Sequence, residues 1–352
     1  VTAKNAETAK TADSAKVAYT AMAVQEGAIT NKMLGNEVLN NINASIGMNR
    51  LTSEVTEKLN QEKTTTNYNA PSVGSLLAVP RGLEAPTGYS LFQMGEPKEL
   101  VWEEKAPVSV ARNAYDGVEV LDGKIYFVGG GAANSSAHNI AERYDPVTNT
   151  WETLASMNVA RRGVACSVLN GKLYSIGGIG LSSVEVFDPS TESWSSGVAL
   201  PSEVNHGTAI TVNGKIYLIG GRNASDQNIN QVLCFDPSVN QWSSKASMPT
   251  KRRGAKLVLF QNRIWAIGGY TSTYTSKVES YDPTTDSWYS EAPLMQARHF
   301  PFIWSINGRI YVGGGSDGTY LNSIESYNPT TKLWSNVGSL PESKNSADAV
   351  VL

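Results

Sequence analysis

Asn213-Gly-Lys-Ile-Tyr-Leu-Ile-Gly-Gly221, then Val232-Leu-Cys-Phe-Asp-Pro237 and Trp242, is one copy of a unit that recurs five times in this 352-residue chain. Each copy reads as an apolar strand, a tight turn, an apolar strand ending in two glycines, a variable loop, a strand ending in aromatic-Asp-Pro, and a tryptophan. The glycine pairs are Gly129-Gly130, Gly177-Gly178, Gly220-Gly221, Gly268-Gly269 and Gly314-Gly315. Trp151, Trp194, Trp242, Trp288 and Trp334 each stand seven residues after Tyr144, Phe187, Phe235, Tyr281 or Tyr327, and the Trp-to-Trp period is 43 to 48 residues. A fixed period of this size marks a repeat architecture in which each unit covers its neighbour.

Each landmark has a physical reason. Asp122-Gly123, Asn170-Gly171, Asn213-Gly214 and Asn307-Gly308 tolerate positive φ at both centres of a type I′ turn, so they predict hairpins joining the first two strands. The fourth copy is read with Asn262-Arg263 in that place. Asp-Pro at 145/146, 188/189, 236/237 and 282/283, and Asn328-Pro329, open the next turn: Pro presets φ and the Asx side chain bonds back to the backbone. The glycine pair allows close backbone approach at the end of the second strand. The paired aromatic and indole supply apolar area to pack sheet on sheet, and radial stacking buries both faces of every sheet.

Order and spacing resemble the kelch repeat family, which implies an all-β, six-bladed kelch-type β-propeller over residues 90–352, with five full repeats. The sixth blade is expected to be shared by the termini. Leu91-Phe-Gln-Met-Gly-Glu-Pro97 with Trp102 reads as its last two strands, and 346–352 as its first, with the second strand expected beyond Leu352.

Residues 1–62 carry none of these landmarks. Alanine at 3, 6, 9, 12, 15, 18 and 21 keeps a period of three, which winds round a helix and fits either an extended three-fold fibre or plain disorder. Leu34, Val38, Ile42 and Ile46, then Leu51, Val55 and Leu59, recur at helical spacing. The expectation is an N-terminal helical or fibre-like oligomerisation segment, a homo-oligomeric (trimeric) stalk, joined through a linker at 63–89. Ala28-Ile-Thr-Asn-Lys-Met-Leu34 and the small-residue triplets before it resemble phage tail-fibre shaft sequences, which implies a virion or appendage surface. A start at Val1 without a leader pattern reads as a fragment of something longer.

A net charge of −3 argues against a nucleic-acid binder that works by phosphate neutralisation, and no apolar run approaches the ~20 residues of a membrane span. Cys166 and Cys234 sit in apolar runs and read as buried free thiols. Two cysteines and three histidines are too few for a structural metal site, and no cofactor is expected. P-loop and His-Glu-x-x-His motifs are missing from the sequence, and no Gly-x-Ser-x-Gly elbow or dinucleotide fingerprint stands between a strand and a helix, so catalysis is not expected.

Candidate binding residues come from the loops. In the kelch family the fourth-to-first and second-to-third strand connections share one face around the axial opening, and the resemblance makes this the ligand face. The former loops carry Arg112, Arg161-Arg162, Asn205-His206, Arg252-Arg253, Arg298-His299 and Lys344-Asn345. They predict a basic axial mouth for carboxylate or phosphate groups, or else cations that bond backbone carbonyls or Glu104, Glu203 and Glu342 and tie blades together. The latter loops vary most and offer Tyr270, Tyr274 and Tyr320, a composition suited to recognition. Expected partners are a protein or glycan ligand, with an anionic ligand suited to the basic mouth. Two alternatives stay open: a kelch scaffold for acidic protein segments, and a kelch-type sugar mutarotase using Arg161, Arg298, His299 and Glu203.

Overall fold

The computed structural model describes residues 102–113, 117–131, 136–344 and 348–351, together with the backbone strands Ser75–Pro80 and Tyr89–Met94. The stalk expected from residues 1–62 lies outside the described residues.

Among the described residues there are five four-stranded antiparallel sheets, formed by residues 118–153, 165–196, 208–245, 256–291 and 302–339, here blades 1 to 5. Each blade is a meander whose strands pair in chain order. Blade 3 runs Thr208–Val212, Lys215–Ile219, Val232–Asp236 and Gln241–Lys245 from the axis outward. The expectation of a six-bladed propeller, with five full repeats and a sixth blade shared by the termini, is corrected to five blades. A three-stranded sheet completes the ring, with Asp348–Val351 on the axis, Ser75–Pro80 in the middle and Tyr89–Met94 outside. Asp348–Val351 sits between the inner strands of blades 5 and 1: Ala349 packs against the cluster that holds Phe302 and Trp304, and Val350 against the one that holds Val118 and Phe127. The middle strand lies within 63–89 and carries no repeat landmark. Trp102 lies outside any strand and packs with the Phe302, Tyr311 and Leu340 cluster of blade 5.

The local chemistry follows the repeat. Asp122 and Gly123, Asn170 and Gly171, Asn213 and Gly214, and Asn307 and Gly308 all have positive φ, as a type I′ turn requires. In blade 4 the pairing of Phe260 with Arg263 places the turn on Gln261-Asn262, at φ 50° and 60°, one residue earlier than Asn262-Arg263. Asn262 thus holds the position that glycine holds elsewhere. At the Asp-Pro turns the side-chain oxygen of Asp145, Asp188, Asp236, Asp282 and Asn328 accepts the amide two residues on.

Each aromatic of the third strand lies directly opposite the tryptophan of the fourth, with ring centroids 5.2–5.3 Å apart in all five blades. Each indole also reaches the preceding segment of chain. Trp151 Nε1 donates to Ala106 O, Trp194 to Ala155 O, Trp242 to Val198 O, Trp288 to Ala246 O and Trp334 to Ala292 O, at 2.8–2.9 Å. The indole is therefore both packing and fastener between successive sheets. Cys166 and Cys234 are buried free thiols.

Inner strands of all six sheets surround an axial cavity of about 350 Å³. Lys256, 2% exposed, crosses it to Asp348 at 3.1 Å.

Candidate functional site

The loops named from the sequence do meet on one face. Backbone bridges join Asn113 to Gly131, His138 to Arg161, Asn205 to Arg222, Arg253 to Tyr270 and His299 to Ser316, so each loop before an inner strand zips onto a loop after a glycine pair. The glycines permit this: a Cβ on Gly130, at φ 101°, would lie 2.5 Å from Asn113 O.

The arginines divide into two sets. Arg112, Arg161, Arg252 and Arg298 are buried, and each reaches a glutamate on the third strand of the blade that follows it. Those contacts are Arg112–Glu142 at 2.5 Å, Arg161–Glu185 at 3.1 Å, Arg252–Glu279 at 2.9 Å and Arg298–Glu325 at 3.0 Å. Their remaining donors go to backbone carbonyls, such as Gly129 and Phe127 for Arg112, Gly177 and Ser183 for Arg161, and Gly314 and Ser323 for Arg298. Burial lowers the Arg252 guanidinium to about 10 against the opposing pull of Glu279. These four side chains fasten each connecting loop to the blade that follows it and do not form a solvent-facing ring. The glutamates are not the Glu104, Glu203 and Glu342 that the sequence brought to mind; Glu203 accepts Gly180 N and Glu342 pairs with Lys344. With Arg161 and Arg298 enclosed in this way, Arg161, Arg298, His299 and Glu203 do not gather into one open pocket.

Blade 3 has Val204 where the buried arginine would stand, and Leu233 where the glutamate would. Both are buried in one apolar cluster. Arginine and glutamate are thus present or absent together.

The second set faces the mouth. Gly163, His206, Gly254 and Phe300 hold equivalent positions just before their inner strands, and all have φ between 48° and 63°. A chain of backbone bonds links them across blades: His206 N to Gly163 O, Gly254 N to His206 O, and Phe300 N to Gly254 O, at 2.9–3.1 Å. Two positions use glycine; the other two hold bulky rings in a left-handed conformation that costs of order 1–3 kcal/mol each. The rings cover the glycines beside them. A Cβ on Gly163 would come within 2.8 Å of the His206 ring, and one on Gly254 within 2.5 Å of His299 and 2.9 Å of Phe300. His206 meets Phe300 edge-on at 5.5 Å, and His299 lies on Phe300 at 4.0 Å.

Around this aromatic cap stand Arg162, Arg222 and Arg253. Arg253 stacks over Tyr270 at 4.3 Å and bonds Asn228 Oδ1 at 3.2 Å. Asn228 in turn donates to the carbonyls of Tyr270 and Thr271, locking the blade 3 loop to the blade 4 loop. Tyr270 and Tyr274 meet edge-on at 5.3 Å and both lie near His299. Tyr274, 36% exposed, approaches the blade 5 loop, where a Cβ on Gly318 would lie 3.7 Å from its ring. Tyr320 is 43% exposed on that same loop. Desolvation first, and then the nearby arginines, lower both His206 and His299 to about 3, so they are neutral at ordinary pH. Burial and Arg222 lower the Arg253 guanidinium too.

The arrangement is a preorganised patch over blades 2 to 5 that gathers cations and aromatic rings. Such a patch takes up carboxylates and stacks on flat groups. Of the residues singled out from the sequence, Arg162, His206, Arg253, Tyr270, Tyr274 and His299 come together here. Arg222 and Phe300 were not singled out. Arg222 directly follows a glycine pair, and Phe300 replaces the glycine of Arg162-Gly163 and Arg253-Gly254, which is the signal that marks both.

Comparison with known proteins follows the same lines. The profile described as the KLHDC2/KLHL20/DRC7 Kelch-repeats domain matches residues 163–351, and that of the Kelch motif matches 117–158. The human Kelch-like protein 28 is 37% identical over 93 residues, 24% of this chain and 16% of that protein. The Arabidopsis thaliana F-box/kelch-repeat protein At1g67480 is 40% identical over 77 residues, 22% of this chain and 20% of that protein. The chain therefore matches only about a sixth to a fifth of the length of these relatives. The solved structure titled "Structure of YjhT" superposes with a TM-score of 0.62 at 17% identity, over 76% of this chain and 98% of that one, a likeness of fold.

Proposed function

The chain belongs to the kelch-repeat family, and from that premise we propose that its propeller is a non-catalytic module that binds a partner protein on the loop face over blades 2 to 5. The observation that carries this reading is the gathering of Arg162, Arg222 and Arg253 with Tyr270, Tyr274 and His299 on loops locked by backbone bonds. Rigid loops bearing Tyr, Asn and Arg favour recognition because little freedom is lost on binding. The patch is cationic although the chain is net acidic, so the ligand is anionic at its point of contact. His206 and His299 are neutral and stacked among rings, an environment suited to shaping a surface rather than moving protons.

In its finer form the proposal displays this head on residues 1–62, whose apolar residues at helical spacing self-associate as a trimer. Light scattering of the whole chain tests this: a trimer is expected, and a monomer removes the stalk. The binding reading is tested by fluorescence anisotropy with a labelled peptide of alternating glutamate and glycine, and its glutamine counterpart. Binding of the glutamate peptide alone is expected, weakened at least tenfold by Arg253→Ala and several-fold by Tyr274→Ala. Equal binding by both peptides, or indifference to Arg253→Ala, contradicts it. Sulfated glycan in place of peptide distinguishes a glycan ligand.

A further inference from the structure

This inference rests on the anion-binding reading of the loop face and concerns how that face is held before a ligand arrives. Arg222 follows the glycine pair of blade 3, and its guanidinium is ion-paired to Asp226 four residues on in the same loop. Asp226 is built into place. It takes φ 59°, its amide donates to Asn223 O, and the Asn223 side chain accepts the amides of Ser225 and Gln227. Its carboxylate is nonetheless 72% exposed, whereas the Arg222 side chain is 25% exposed. Asp226 also acts on Arg253 by charge, favouring the guanidinium that burial and Arg222 disfavour. The loop thus sets one carboxylate of its own against the arginines that would receive a carboxylate from outside.

An ion pair whose acid is mostly in water is weak and exchanges readily. We infer that Asp226 is an internal stand-in for the ligand: it occupies Arg222 in the free protein and gives way to a carboxylate of an acidic segment on the partner. The consequence is a threshold. A ligand with one acidic group only replaces Asp226 and gains little, whereas several acidic groups engage Arg222 and Arg253 together, so Asp226 selects for clustered charge.

The test uses the full chain, the labelled glutamate peptide and three variants. Asp226→Asn keeps the left-handed residue acceptable and removes the competing charge, and it is expected to tighten binding about tenfold. Asp317→Asn removes an equal charge from the blade 5 loop, where the carboxylate bonds Gln296 and Thr319 and no arginine, and it is expected to change binding less than twofold. Adding Arg222→Ala to Asp226→Asn is expected to erase the gain. If wild type binds in an Arg253-dependent way but Asp226→Asn is no tighter than Asp317→Asn, the stand-in is overturned and the anion-binding face survives. If binding ignores Arg253, that face and the stand-in fall together.

Discussion

Arg161 and Arg162 are neighbours in the chain with opposite environments: one is wholly buried against Glu185, while the other stands at the mouth beside Gly131 and His206. Removing one partner of a buried ion pair strands the other, at about 3–5 kcal/mol, yet an apolar pair of similar volume is often neutral. Blade 3 already contains that apolar solution in Val204 and Leu233. Arg161→Val alone is therefore expected to destabilise by about 3–5 kcal/mol in urea unfolding, and Arg161→Val with Glu185→Leu to recover most of the loss. Equal losses in both would show that the arginine's backbone bonds, not the charge pair, dominate. The signal was present in the chain: Glu142, Glu185, Glu279 and Glu325 each stand two residues before the repeat aromatic, and Leu233 replaces them where the arginine is missing too. A dibasic pair read in isolation hides which member turns inward; read with the acid forty or fewer residues away, it does not. His206 gives a pH signature. Its folded value of about 3 lies below the ordinary 6.5, so the unfolded chain binds more protons between those limits, and stability falls as pH drops from about 6.5 toward 3. His299 adds the same slope; Arg222 and Arg253 act on both rings, Arg162 on His206, and His206 on His299. His206→Gly, which suits φ 51° and matches Gly163 and Gly254, is expected to flatten the dependence of Tm on pH over that window. An unchanged slope would assign it to other groups.

At the level of elements, the hairpins were legible because a type I′ turn admits few residues. The fourth was misplaced by one position because Gln261-Asn262 does the work of Asn-Gly without resembling it. Both residues have positive φ, which asparagine and glycine accept more readily than glutamine. Gln261→Asn with Asn262→Gly is expected to stabilise the domain by about 0.5–1 kcal/mol, read as a higher urea midpoint at constant m. Loss of stability would mean that the wild-type side chains make contacts worth more than the turn preference. The indoles were legible as packing residues, but their hydrogen bonds to the preceding chain were not, because a donor's target is set only by the assembled ring. Trp242→Phe keeps most of the ring area and forfeits the bond to Val198, and it is expected to cost about 1 kcal/mol plus a packing loss.

On the scale of the whole molecule, five repeats made the propeller plain, and the closing sheet was the part the sequence obscured. Ser75–Pro80 has neither glycine pair nor aromatic-Asp-Pro, so only its pairing with Asp348–Val351 identifies it. The axial cavity adds a second tie: Lys256 on blade 4 reaches across to Asp348 on the closing strand. Next to the inner strands, His206, His299 and Phe300 pack on one another and over Gly163 and Gly254, and the loops that carry Arg222, Arg253 and Tyr270 are held by bonds to neighbouring blades. An axial ring of cations was expected because cations recur in successive loops, and it is not found because Arg112, Arg161, Arg252 and Arg298 turn inward to glutamates. The most direct test of the central claim is photo-crosslinking of an acidic peptide to the full chain, followed by mass-spectrometric mapping. Adducts confined to 222–228, 270–274 and 299–300 are predicted, and adducts spread around the ring or centred on the hairpin turns of the opposite face would contradict it.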